Sequence, residues 1–146
     1  MIDPRASSTI YAATIDGVMK STNSGTQWHR ASTGLEIRDL RALAIDPNTP
    51  EVLYAGAANG IVSKTTDGGG QWQALPVPMT RPAPVRAIVV DPQDSHTVYA
   101  AIPGGKVAKS TNQAMSWLEP VPTCMPAIYM LRSFGLGGIV AGGMNG

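Results

Sequence analysis

The chain is poor in charge and in cysteine, and each shortage closes off a class of proteins. Only 14% of its 146 residues are Asp, Glu, Lys or Arg, and they balance to a net charge of +1. A dedicated nucleic-acid surface needs clustered Lys and Arg to displace counterions, so no nucleic-acid partner is expected. A single cysteine, Cys124, excludes an internal disulfide and leaves the redox compartment open. No apolar run nears the roughly 18 residues of a membrane span, because Pro, Gly or charge breaks the longest candidates. Neither a heptad nor a long amphipathic helical window is present. The first ten residues, MIDPRASSTI, lack a basic region followed by an apolar stretch, so no signal peptide is read in this chain. What is abundant is turn chemistry: sixteen Gly and twelve Pro exceed average usage and suit an all-β chain.

Two marks recur in fixed phase. STNSGTQW at 21–28, TTDGGGQW at 65–72 and STNQAMSW at 110–117 place tryptophans at Trp28, Trp72 and Trp117, 44 and 45 residues apart. IDP at 2–4, IDP at 45–47 and VDP at 90–92 are each followed, eight residues after the Asp, by Tyr11, Tyr54 or Tyr99. A period of about 40–45 residues with four strands per unit is the signature of a β-propeller blade. In the second unit the strands are expected at 38–46, 51–57, 61–66 and 71–77. Asp-Pro marks the first chain reversal, and Asn59-Gly60, like Asp16-Gly17 and Gly104-Gly105, marks a tight hairpin after strand two. Strand two is rich in Ala and Gly (YAAT, YAGAAN, YAAIPG), the residues that fit where backbones crowd.

The eight-residue pattern resembles the Asp-box, or BNR repeat, Ser/Thr-x-Asp-x-Gly-x-x-Trp, of sialidases, xyloglucan-degrading enzymes, sortilin-type receptors and a photosystem II assembly factor. Thr65, Asp67, Gly69 and Trp72 match it fully; Ser21, Gly25 and Trp28 match with Asn23 in the Asp place; Ser110, Asn112 and Trp117 match with Ala114 where Gly belongs. The residue logic is that a short carboxylate or amide caps turn N–H groups, Gly takes positive φ, and Trp buries its ring between blades. Ala114 is therefore expected to strain or reshape its hairpin. These residues are read as structural, on the propeller face away from the ligand site that the resemblance implies.

On the opposite face the repeat alignment gathers Asp16, Glu36, Arg38, Asp39, Arg41, Asn59, Arg81, Arg86 and Lys106. Arg41 and Arg86 stand five residues before Asp46 and Asp91 in successive units. The resemblance implies a carboxylate ligand, since sialidases hold one with arginines from several blades; the alternative is that each guanidinium snorkels over a packed core. Arg41, Arg86 and Asn59 are the ligand-binding candidates. Hydrolysis of a glycoside needs two carboxylates across a cleft. Asp16, Glu36 and Asp39 are the only candidates by face, and Asp16 equally forms a turn. No metal or other cofactor is expected: His29 and His96 lack ligand-spaced neighbours, and Cys124 in PTCMPA reads as a buried apolar thiol.

Shifting the second unit by 86 residues lays it onto the tail, with 128–132 in place of 42–46 and Gly146 at the turn after strand two. The expected organisation is then one partial propeller: 1–33 a blade lacking its first strand, 34–79 and 80–122 whole blades, and 123–146 the first two strands of a divergent fourth. Closed propellers take about four to eight blades, so the chain reads as a segment of a larger propeller or a subunit that self-associates. The favoured role is a noncatalytic scaffold or binding module with a protein or carbohydrate ligand. A fragment of a sialidase- or xyloglucanase-like glycoside hydrolase is the alternative, and an extracytoplasmic location is what the resemblance implies.

Overall fold

Four antiparallel sheets follow one another along the chain, each built from neighbours in sequence. The computed structural model describes residues 1–75, 83–134 and 138–144. The first sheet holds β1 (Ile10–Thr14), β2 (Gly17–Ser21) and β3 (His29–Arg30). The second holds β4 (Leu40–Ile45), β5 (Leu53–Ala57), β6 (Val62–Thr65) and β7 (Gln73–Leu75). The third holds β8 (Ala87–Asp91), β9 (Asp94–Ile102), β10 (Lys106–Ser110) and β11 (Val121–Pro122), and the fourth pairs β12 (Ala127–Phe134) with β13 (Gly138–Met144). Residues 76–77, the expected end of the second unit's last strand, lie outside the described residues, as do Arg81 and Gly146.

The sheets stack through their first strands: β4 lies against β1 and β8, and β8 against β12. In the first sheet the end of the chain stands in for a first strand. Ile2 bridges Ile10, the Met1 ammonium donates to the Tyr11 carbonyl (2.7 Å), and the Tyr11 N–H donates back to the Met1 carbonyl (2.8 Å).

Period-two alternation in strands buried on both faces explains the stacking. In β5, Leu53, Ala55 and Ala57 join the core against Tyr11, Val18 and Ala31 of the first sheet, whereas Tyr54 joins Val85, Ile88 and Val98 of the third. Gly56 shows why this strand needs small residues: a Cβ there would meet Val85 Cγ1 at 2.7 Å and Val85 Cβ at 2.9 Å. The crowding comes from the next sheet.

The Asp-Pro marks do the same work in each unit. Asp3 Oδ1 accepts from the N–H groups of Arg5 and Ala6, Asp46 Oδ1 from those of Asn48 and Thr49, and Asp91 Oδ1 from that of Gln93. They also join units, since Ser95 Oγ donates to Asp46 Oδ1 (2.9 Å) and Asn48 Nδ2 to the Pro92 carbonyl (3.0 Å).

The tail corrects the expected register. Gly142, which matches Gly56, pairs with Met130, whereas Gly56 pairs with Ala42. The first strand is therefore displaced by two residues from the 86-residue shift, because the β12–β13 connection is shorter than its β4–β5 counterpart. Burial agrees: Ile128 and Leu131 pack on Ala87 and Ala101, as Leu40 packs on the first sheet.

Candidate functional site

The three eight-residue hairpins adopt one geometry. A hydroxyl at the first place donates to the side-chain oxygen at the third: Ser21 to Asn23 (3.0 Å), Thr65 to Asp67 (2.7 Å), Ser110 to Asn112 (2.9 Å). That hydroxyl accepts from the fifth N–H, of Gly25, Gly69 or Ala114, and the third-place oxygen accepts from the seventh, of Gln27, Gln71 or Ser116. The Thr65 hydroxyl, followed by the Gln71 N–H, holds the Asp67 carboxyl below the usual carboxylate range. Every third-place side chain is thus spent inside its turn.

Two residues depart from expectation. Ala114 leaves its hairpin's hydrogen bonds unchanged and takes the left-handed backbone itself, at φ 65°. Trp72 is 2% exposed and Trp117 packs on the core between the second and third sheets, but Trp28 is 41% exposed. Each ring needs the preceding sheet to cover it, and among the described residues no sheet precedes the first. Cys124, expected to be buried, is exposed in the stretch between β11 and β12.

A concave space lies where the first strands converge. One part, about 410 Å³, is lined by Met1, residues 41–45, 86–90 and 129–133; an adjoining part, about 590 Å³, is lined by Arg41, Ala58, Pro84, Arg86 and Tyr129. Arg41, Arg86 and Tyr129 hold one structural place in successive sheets. Arg41 is the extra residue of a β-bulge between Leu40 and Ala42, and Tyr129 the extra residue between Ile128 and Met130. Arg86 donates its N–H to the Ala101 carbonyl (3.1 Å) while Ala87 pairs with the same Ala101. A bulge re-aims the side chain it carries, here into the space. The Arg86 guanidinium lies 4.8 Å from the centre of the Tyr129 ring, and Arg41 pairs with Asp39 at 2.9 Å with both side chains exposed.

The structure brings Arg41 and Arg86 together and leaves the other candidates elsewhere. Asn59 Oδ1 accepts from the Ile61 N–H (3.2 Å) within its turn. Asp16 sits in the β1–β2 turn, where its N–H donates to Thr14 Oγ1 (3.1 Å), and Glu36 is exposed in the loop before β4. Asp39 meets the site only through Arg41. No Asp or Glu lines either part of the space. Arg38 lines a separate recess of about 440 Å³ with Arg30, Thr33 and Leu35, and Lys106 begins β10. Among the described residues no three His, Cys, Asp or Glu gather as metal ligands. Among the described residues no helix is long and apolar enough to cross a membrane. Tyr129 escaped the sequence reading because the two-residue register error set it opposite Leu43.

No protein-family profile matches the chain, and neither does any curated protein. Solved structures do. An ancestral GH74 enzyme is 25% identical over 83% of this chain, with a TM-score of 0.70, and a GH74 xyloglucanase from Xanthomonas campestris is 18% identical over 82%, with a TM-score of 0.67. YCF48 bound to D1 peptide is 18% identical over 91% of the chain (TM-score 0.69), and U3-55K is 16% identical over 98% (TM-score 0.75). The chain spans 17% and 20% of the two GH74 chains and 44% of each of the others. The chain is an all-β propeller segment, with three blades, the first short of a full first strand, and part of a fourth.

Proposed function

We propose that the chain is a noncatalytic binding module of the Asp-box kind, a segment of a larger propeller that takes its ligand where Arg41, Arg86 and Tyr129 converge. The observation that carries this reading is the composition of the space: two guanidinium groups, Arg41 on a β-bulge and Arg86 just before β8, and a phenol ring, with no carboxylate lining it. Guanidinium forks suit a carboxylate, and the ring offers an apolar face beside them. A protein ligand is favoured over a carbohydrate, in keeping with the peptide-bound YCF48 structure among the similar folds. An extracytoplasmic location belongs to the same reading.

The test is calorimetric titration with an acidic peptide and with sialyl-lactose, on the wild type and on Arg41→Ala and Arg86→Ala. Binding weakened in both variants supports the reading, and equal binding in all three proteins refutes it. The likeness to GH74 enzymes favours a second reading, a fragment of a glycoside hydrolase propeller. Sugar released from xyloglucan by the wild type and lost in Asp16→Asn would establish it instead.

A further inference from the structure

The junction between the first two blades holds a recess whose charges the repeat does not demand. Residues 31–39 run from β3 to β4, and the first half of this loop is pinned from two sides. The Ser32 hydroxyl donates to the Val18 carbonyl (3.0 Å) and accepts from the Val18 N–H (2.9 Å), while the Thr33 carbonyl accepts from the Trp72 N–H (2.8 Å). The Leu35 N–H donates to the Ser32 carbonyl (3.2 Å), and Gly34 takes the left-handed backbone in that turn, at φ 83°, where a Cβ would run into the Trp72 carbonyl. Arg38, near the far end of the loop, lays its stem by the β1–β2 turn, its Cγ 3.7 Å from where a Cβ on Gly17 would stand. Arg30 reaches the same recess, of about 440 Å³, from β3, where it pairs with Met19.

Both arginines are exposed, and among the described residues neither guanidinium has a hydrogen bond or an ion pair. No Asp or Glu lines the recess: Asp39 is turned to Arg41, and Glu36 and Asp16 are exposed outside it. Two residues after the three hairpin tryptophans stand Arg30, Ala74 and Glu119, and three residues before Arg41, Arg86 and Tyr129 stand Arg38, Ala83 and Pro126. The next junction is made with alanine at both places, so joining blades does not require the two charges.

We propose that this recess binds a phosphate monoester, its oxygens held by Arg30 and Arg38 with the Thr33 hydroxyl beside them. Guanidinium forks match oxyanions through paired hydrogen bonds. A carboxylate fills one fork with one charge, whereas a phosphate monoester brings about 1.5 to 2 negative charges and three acceptor oxygens, which two forks and a hydroxyl share. The volume falls in the range of small-molecule sites, about 300–1,000 Å³, which leaves room over Leu35 for the group that carries the phosphate.

Calorimetric titration with glycerol phosphate, and with a phosphoserine peptide beside its unphosphorylated form, tests this on the wild type, Arg30→Gln, Arg38→Gln and Arg41→Ala. Thermal melts matching the wild type establish that the variants fold; Arg30→Lys and Arg38→Lys, which keep the charge and lose the fork, serve where a glutamine variant melts early. The wild type should bind phosphate-bearing probes and not the plain peptide. Arg30→Gln and Arg38→Gln should each weaken binding about tenfold, the loss expected for one charge-assisted contact, and Arg41→Ala should weaken it less. Tighter binding of the phosphopeptide assigns the phosphate to a modified side chain, and equal or tighter binding of glycerol phosphate assigns it to a small phosphoester; either result upholds the site. A wild type that binds neither probe, equal binding of the plain peptide, binding unchanged in either Arg30→Gln or Arg38→Gln, or a loss in Arg41→Ala as large as in Arg38→Gln each overturns the proposal.

Discussion

The Trp72 indole N–H donates to the Ala31 carbonyl, 2.8 Å away and 41 residues back along the chain. One side chain thereby supplies both apolar area and a satisfied polar atom to the join between the first two blades. Removing a buried aromatic of this size typically costs about 3–5 kcal/mol, on the scale of a small domain's whole stability. Trp72→Ala should unfold or aggregate the chain, whereas His29→Ala, on an exposed strand, should melt with the wild type. Equal melting temperatures for the two variants would contradict this account of the join.

Gly56→Ala tests the crowding between the second and third blades. The new methyl must displace Val85, a wholly buried residue. Overpacking of this kind costs about 1–3 kcal/mol. The urea midpoint should fall in Gly56→Ala and recover in the double variant Gly56→Ala, Val85→Ala, which makes room for the methyl.

Gly25→Ala isolates backbone strain from packing. Its nearest neighbours, Trp28 Cζ2 and Ile10 Cδ1, would stand 3.8 and 3.9 Å from the new Cβ, so space is available. The backbone there is left-handed, at φ 87°, which disfavours any Cβ by roughly 1–2 kcal/mol. A loss of about that size is expected by chemical denaturation, with the hairpin retained, as Ala114 already shows in the third copy.

Acid should act on the second hairpin and spare the other two. A carboxyl whose folded pKa is lowered stabilises the fold above its ordinary range, and the contribution is lost as pH falls through the folded value. Asp67 is held low by the Thr65 hydroxyl and the Gln71 N–H, and Asp94 by the Thr97 hydroxyl and the His96 N–H. Asn23 and Asn112 do the same structural work without a titrating group. Asp67→Asn should therefore show a shallower loss of melting temperature below about pH 4 than the wild type. Parallel acid profiles would show that Asp67 carries none of the dependence.

The propeller was legible because its marks are local. Ser or Thr, then Asp or Asn two residues on, closes its own turn, and Asp-Pro does the same at the other end of the blade, so neither needs a distant partner to be recognised. Arg41 and Arg86 could be paired for the same reason, since both precede an Asp mark by five residues. Tyr129 could not. Its place depends on how β12 slides against β13, and a connection of three residues in place of seven moves that register by two without leaving a signature in either strand. Trp28 and Cys124 failed for a related reason: burial belongs to whatever packs alongside, and a pattern repeated along the chain says nothing of whether its neighbour is present.

The bulges that carry Arg41 and Tyr129 separate two kinds of structural constraint. An ordinary strand residue cannot change without disturbing the blade it faces, but the extra residue sits outside the alternation, and its identity can drift while the core beside it stays the same. Arg41, Arg86 and Tyr129 stand at one position of three successive sheets and offer different chemistry beside similar cores. A ring built from such blades can acquire a new specificity one side chain at a time, with its folding left untouched.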